Sequence, residues 1–394
     1  MNKKLLLLVF VITFLGFIDT QLTVPIMRLY ADSLGATVAI AGFIIGMYSI
    51  INTPANIVFG PLVDKFGRKI PLIIGLGGDA ICMFLYTLCS TSQQLLIVRG
   101  LHGLAGAVLG LATASMVADY SSREKRGRGM GFYAIAMGLA PLIGMMICGI
   151  IMRNPAGFNM VFYTGSALLL AAVILAFLLP RTEAKGKAEC IDFKKIGVVA
   201  ARKANIASYA AIFSQWFMMG VITVLLPSYM VDLGMTAFHV AMVMVATTAA
   251  CVAFNYPAGL LSDKVGRKIP SIMGLALLVI AINLIPVATS FEELIGLGIL
   301  LGVGMGCILP PVLALISDNT EKGERGTAMG IFHALITLGV AVGAPVTGVL
   351  ASEVGSSLAI HLSTLIPMAA IIAVLVLVKA GLPQREVIVG GENE

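Results

Sequence analysis

Apolar runs of roughly 20 residues recur along the whole chain, each broken by a short cluster of charge, glycine or proline. A helix needs about that many residues to cross the hydrocarbon of a bilayer. The runs predict twelve spans, near 5–27, 38–62, 70–90, 94–118, 129–152 and 158–180, then 206–231, 237–261, 270–289, 293–317, 327–351 and 356–379. The first follows "MNKK" and continues to Met27 without a small-residue cleavage site, so it reads as a retained span rather than a signal segment. The fold class predicted is an all-α polytopic membrane protein, with 12 transmembrane helices in two pseudo-symmetric six-helix bundles.

One break in the pattern occurs twice. Residues 60–71 read "GPLVDKFGRKIP" and residues 259–270 read "GLLSDKVGRKIP", identical at nine of twelve positions and offset by 199. The same offset relates Tyr30 to Tyr229, Gly35 to Gly234, Asn56 to Asn255, Gly75 to Gly274 and Arg126 to Arg325. An offset spanning six helices keeps both halves in the same direction through the membrane, which makes a parallel repeat. The chain divides into a bundle at 1–180, a polar linker at 181–205, and a bundle with a short tail at 206–394. The linker reads first as a basic tether. Its alternative is an amphipathic surface helix with Phe193, Ile196 and Val199 toward lipid.

Composition agrees with this division. Of 394 residues, 59% are hydrophobic and 12% charged, against about 25% charged in soluble domains. The net charge of +6 arises from lysines and arginines in connections on one side of the membrane; only Arg28, Arg99 and Arg153 of the 26 lie elsewhere. That bias places both termini in the cytoplasm of a cell-membrane protein, and it removes the need for a nucleic-acid partner. Six cysteines show no metal-ligand spacing, and five fall in predicted spans as packing residues. No phosphate-binding Gly-x-x-x-x-Gly-Lys-Ser/Thr loop, nucleophile elbow or metal cluster is present, so neither an enzyme nor a cofactor is expected.

The doubled loop brings chemistry to a turn. Gly60, Gly67, Gly259 and Gly266 permit a tight turn and close helix approach. Asp64 and Asp263 are placed to accept hydrogen bonds at the start of a helix in the opposite half, and Arg68, Lys69, Arg267 and Lys268 to pair with acids or lipid head groups. Such a contact forms only when the cytoplasmic sides come together. It would be a latch of roughly 0.3–2 kcal/mol favouring an outward-facing state.

Charge inside the spans faces the protein interior, because hydrocarbon penalises it by about 2.5–3.5 kcal/mol or more. Asp19 in the first span and Arg99 in the fourth lie at depths differing by about 5 Å, close enough to pair. His102 is one turn from Arg99 and reads as hydrogen-bonded packing, with proton handling as the alternative. Asp79 in the third span is either a second protonation site or a partner toward the cytoplasmic side. Cavity candidates are Asn52, Asn56, Gln215, Trp216, Asn255, Thr337 and the ionisable His333, with a structural role at the helix crossings as the alternative for Asn56 and Asn255 and core packing for Trp216. Pro141 and Pro345, each in "APxxG", are candidate bends in spans five and eleven.

The doubled loop resembles the pattern G-x-L-x-D-x-x-G-R-K/R of the major facilitator superfamily, matched in full at both positions. "LLIVRGLHGLAGA" is similar to the fourth-span pattern L-x-x-x-R-x-x-Q-G of its proton-coupled drug antiporters, with His102 where glutamine is usual. "AIAMGLAPLIGMM" resembles their fifth-span pattern at Pro141 and Gly144, with Ala136, Ala140 and Met145 replacing glycines. The resemblance implies alternating access, with Asp19 and Arg99 as a proton relay. It also implies Pro141 and Gly144 among the gating residues, to which the repeat adds Arg126 and the matching "APxxG" adds Pro345. The expected activity is proton-coupled efflux of small hydrophobic or cationic compounds by a monomer, engaging protons, a small-molecule substrate and membrane lipid. The alternatives are uptake of a small metabolite by symport or uniport, and a non-transporting receptor or scaffold.

Overall fold

The computed structural model describes residues 3–121, 126–154, 157–180, 193–321 and 324–378, apart from the side chains at 61, 64, 126–128 and 193–195. The first half contains α1 (Lys3–Thr23), α2 (Met27–Ser33), α3 (Val38–Phe66), α4 (Lys69–Tyr86), α5 (Ser92–Tyr120), α6 (Arg126–Ile151) and α7 (Phe158–Phe177). After α8 (Phe193–Ala200) come α9 (Lys203–Asp232), α10 (Ala237–Val265), α11 (Lys268–Leu284), α12 (Phe291–Asp318), α13 (Arg325–Val354), α14 (Ser356–Ser363) and α15 (Leu365–Leu377). Twelve segments among the described residues are long and apolar enough to span a membrane, with α14 and α15 together making the last.

The expected spans are present, with two additions. The first span ends at Thr23, because Pro25 lacks the N–H needed to continue the ladder, and α2 forms separately. The linker contains a helix, α8, where a tether was the first reading. Val199 of α8 is buried against the bundle rather than facing lipid; the Phe193 side chain and Cys190 lie outside the described residues.

Matched caps start matched helices. The Thr37 and Thr91 hydroxyls accept from the backbone N–H groups of Ile40 and Gln94 at the starts of α3 and α5. Thr236 and Ser290, 199 residues on, cap α10 and α12 with capping boxes completed by His239 and Glu293. Gly67 (φ 75°, ψ 162°) and Gly266 (φ 89°, ψ 165°) end α3 and α10 in a region essentially reserved for glycine. Neither of the two roles expected of the loop glycines applies to Gly60: it is helical, and a side chain there would meet nothing within 4 Å.

Small residues set the helix spacing. A side chain at Gly103 would strike the Tyr48 carbonyl oxygen, and one at Gly302 the Thr247 carbonyl oxygen, so the second and fourth spans of each half touch backbone to backbone. Between the halves, Gly42 faces Ala344 and Gly348, Gly46 faces Pro345, and Gly149 faces Ala241 and Met242. The Thr53 and Thr337 hydroxyls lie 2.8 Å apart, and the Arg153 guanidinium stacks 4.9 Å from the Phe238 ring.

These cross-half contacts sit at mid-depth or toward the face opposite the linker. A clasp joins that opposite face: Arg28 Nε donates to Ser228 Oγ at 2.8 Å and to Asp32 Oδ2 at 2.9 Å, and Ser228 donates to the same carboxylate at 3.2 Å. On the linker-face side, side chains added at Gly60, Gly131, Gly326 and Gly330 would meet open space. Among the described residues, the cross-half contacts named here close the face opposite the linker.

Two predictions follow from this geometry. Gly266→Ala should lower stability by about 1–3 kcal/mol, whereas Gly60→Ala should be neutral or stabilising by up to about 1 kcal/mol; thermal unfolding of both variants in detergent checks the contrast. Burial pushes the Asp32 carboxyl above its ordinary range, against the pull of Arg28. The closed face therefore binds a proton more readily than a face with Asp32 solvated, and acidification should favour closure. Spin-label distances across this face should shorten as pH falls through the carboxylate range, and Asp32→Asn should abolish that dependence.

Candidate functional site

Four helices of the first half are drawn together by glycine. Gly16 of α1 packs on Leu109 of α5, Gly75 and Gly78 of α4 pack on Ala105, and Gly103 of α5 packs on α3 at Tyr48. Inside this group lie Asp19, Asp79, Arg99 and His102, each no more than 4% exposed. All four proton-coupling candidates therefore share one buried cluster.

Their pairing differs from the expected one. His102 Nε2 lies 2.8 Å from Asp19 Oδ2 and 3.7 Å from Asp79 Oδ1. Its Nδ1 lies 2.8 Å from the Tyr86 hydroxyl. Arg99 instead donates from Nη1 to the Thr23 and Tyr86 hydroxyls, both at 3.4 Å, and its guanidinium lies 5.2 Å from the Tyr48 ring centroid. One helical turn decides this: Arg99 is level with Thr23, and His102, a turn along, is level with Asp19. His102 is thus a direct partner of the acid and not packing alone.

Two polar atoms in the cluster have no hydrogen-bond partner, Asp79 Oδ1 and Arg99 Nε. Asp19, Asp79 and His102 each place one polar atom within 4.8 Å of the others. With Arg99 charged and His102 neutral, two ionised carboxylates leave the cluster one positive charge short. Tyr48, Tyr86 and Thr23 did not figure among the sequence candidates. The i, i+7 spacing of Asp79 and Tyr86 and the i, i+4 spacing of Asp19 and Thr23 place each pair on one helix face.

The doubled loop binds within its own half. Arg68 Nε pairs with Asp119 Oδ2 at 3.1 Å, and Arg267 Nε with Asp318 Oδ2 at 3.1 Å; these two acids are themselves 199 residues apart. Arg267 also pairs with Asp263, so Asp263 contacts its own helix end and not the opposite half. Lys69 donates to the carbonyls of Phe177 and Leu179 at the end of α7, and Lys268 to that of Leu375 in α15. The side chains of Asp64 and Arg126 lie outside the described residues. The offset that pairs the two loops would have found Asp119 and Asp318 as well.

The remaining candidates are dispersed. Asn52 donates to the Gly103 carbonyl at 3.0 Å and accepts from Asn56 at 2.7 Å, tying α3 to α5. Gly144 lets α6 approach α1 at Ile18 and Gln21. Both α6 and α13 continue as helix through Pro141 and Pro345. Gln215 is buried, and Gln215 Oε1, Trp216 Nε1 and Asn255 Oδ1 have no partner, while His333 is exposed. Among the described residues no hydrogen bond joins these four to one another.

The family model of the Major Facilitator Superfamily matches residues 9–206 and again residues 207–393. The chain belongs to that superfamily. An uncharacterized MFS-type transporter of Methanocaldococcus jannaschii is 27% identical over 359 residues, covering 90% of this chain and 92% of that one. The multidrug resistance protein MdtG of Enterobacter lignolyticus is 27% identical over 338 residues, 82% and 80% of the two chains. A mutant of the nucleoside transporter NupG has a similar fold, with a TM-score of 0.80 at 14% identity over 95% of this chain and 100% of that one. As a superfamily member with this fold, the protein is a secondary active transporter of small molecules that works by alternating access.

The cluster geometry predicts unequal effects of neutralising its members. His102→Ala strips Asp19 of its 2.8 Å partner and should destabilise by at least about 1–3 kcal/mol. Asp79→Asn, which replaces a carboxyl lacking any hydrogen bond at Oδ1, should leave stability unchanged. Thermal unfolding in detergent compares the two.

Proposed function

We propose that this transporter exports small hydrophobic or cationic compounds in exchange for protons, with its linker face in the cytoplasm. The buried cluster of Asp19, Asp79, Arg99 and neutral His102 carries the reading. It lacks one positive charge when both acids are ionised, and a single proton restores neutrality inside a medium that penalises net charge. The distribution of lysine and arginine supports the orientation. In that orientation the clasp at Arg28, Asp32 and Ser228 seals the outside, and the open side faces the cytoplasm.

The doubled loop fits the same cycle. Its arginines and lysines brace each half from below, and Asp263 is exposed on the open side. Asp64 and Asp263 would engage the opposite half only in the outward-facing state. The multidrug resistance name of a relative matching most of the chain supports export. Uptake of a small metabolite by symport is the second reading, since the charge balance of the cluster calls for a proton in either direction of transport.

Proteoliposomes with an acidic lumen test the proposal, with the lipophilic cation ethidium as the probe. Protons leaving the lumen should drive ethidium inward, and Asp19→Asn should reduce this to the rate of empty vesicles. Replacing sodium by choline should change nothing. Equal rates with and without the pH gradient, at matched voltage, would remove proton coupling, and dependence on sodium would replace the coupling ion.

A further inference from the structure

The hydrogen bonds around His102 run in one direction, and the chemistry at both ends fixes it. Arg99 can only donate, so Tyr86 Oη accepts from its Nη1 at 3.4 Å. Tyr86 has one hydrogen of its own, and the other partner of its hydroxyl is His102 Nδ1 at 2.8 Å. Were Nδ1 to carry a hydrogen, Tyr86 Oη would receive two donors and its own hydrogen would be stranded, in a side chain that is fully buried. Nδ1 therefore accepts. Nε2 then bears the hydrogen and donates it to Asp19 Oδ2 at 2.8 Å. Asp19 Oδ1 accepts from the Thr20 hydroxyl at 3.1 Å, so both oxygens of Asp19 have donors without a proton of their own.

Asp79 stands outside this chain. Its Oδ1 points at the same Nε2 from 3.7 Å, has no hydrogen-bond partner, and belongs to a residue only 1% exposed. An ionised oxygen there would have no donor among the described residues. The other groups around the cluster do not supply one. Tyr48 of α3 presents its ring to His102 at 5.2 Å and to Arg99. Cys82 lies one turn along α4 from Asp79 and is free. Phe162 of α7 closes the far side of Tyr86 at 5.2 Å.

We infer that Tyr86 is a positioning residue that fixes His102 as a neutral imidazole with its hydrogen on Nε2, which leaves Asp79 as the carboxyl carrying the exchangeable proton. With Asp79 protonated, Asp19 ionised, His102 neutral and Arg99 charged, the cluster is neutral. When the Asp79 proton departs, the Nε2 hydrogen faces two carboxylates, at 2.8 and 3.7 Å, and the charge imbalance appears at once. The exchange of that proton depends on the proton-coupled reading. The placement of the hydrogens depends on geometry alone.

Nitrogen NMR on the full chain in lipid nanodiscs, labelled at histidine, tests this directly. The chain has 4 histidines, and His102→Gln assigns the relevant signal. Wild-type His102 should remain neutral with hydrogen on Nε2 from about pH 5 to pH 8. In Tyr86→Phe, which keeps the ring and removes only the donor, Nδ1 should become protonatable within that range. A wild-type signal showing hydrogen on Nδ1, or an imidazolium, would overturn the assignment even should Tyr86→Phe fail to fold. Infrared difference spectra provide the second arm: the protonated-carboxyl band should vanish in Asp79→Asn and persist in Asp19→Asn, and the reverse would assign the proton to Asp19. A pH gradient that drives no ethidium flux, alongside the expected spectra, would defeat the coupling reading and leave the hydrogen placement standing.

Discussion

The hydrogen bond from His102 to Asp19 is the interaction around which the first half is organised. A carboxylate between helices in hydrocarbon needs a donor at hydrogen-bond distance, and a donor that is itself buried needs a second partner to orient it. His102 meets both demands, because its two nitrogens reach Asp19 on α1 and Tyr86 on α4 from α5. Such reach is possible only where helix axes lie close. The glycines at 16, 75, 78 and 103 provide this, each placed where an added methyl would press on a neighbouring helix. Packing and chemistry are therefore one constraint in this bundle.

The second half keeps the packing and discards the chemistry. Moving each cluster residue by 199 positions leads from Asp19 to Met218, from Asp79 to Leu278, from Tyr86 to Ile285, from Arg99 to Gly298 and from His102 to Leu301. Met218, Leu278 and Leu301 are buried apolar residues. Meanwhile the caps, the left-handed glycines, the Arg–Asp pairs at the linker face and the backbone contacts at Gly103 and Gly302 all recur. Duplication preserved what holds six helices together, and one copy alone places charge among them. On the proposed proton-coupled reading, one half senses the ion and the other moves against it.

This division explains what could be read before the structure. Apolar run length and the 199-residue offset are properties of every residue in a span, so the helix count and the repeat were plain from the sequence. Partner choice is different. Depth along the membrane put Asp19 and Arg99 within about 5 Å, and that residual is one helical turn, the distance that separates His102 from Arg99. A one-dimensional depth scale cannot tell neighbouring turns apart, and it carries no information on which way a side chain points. Tyr86 was invisible for another reason: an aromatic residue in an apolar helix looks like packing until its hydroxyl is seen to face an imidazole. α8 was understated because its eight residues are too few to show a long periodicity amid the linker charges.

On the proposed proton-coupled reading, a change of charge in the first half must still reach the interface between halves, and α3 touches both. One of its faces presents Tyr48 to His102 and Arg99, and its carbonyl to Gly103. The adjoining face presents Gly42 and Gly46 to α13, where Pro345 fills the space that a side chain would take, and Thr53 meets Thr337 at mid-depth. Because these contacts are backbone-close, α3 cannot shift by a fraction of an ångström at Tyr48 without disturbing its seat on α13; close-packed interfaces resist small deformations and move between discrete arrangements. A change of charge beside Tyr48 therefore acts on a helix whose other side packs on the second half. The requirement for coupling is a shared element that both the charge and the interface can bias, and in this fold α3 satisfies it by position alone.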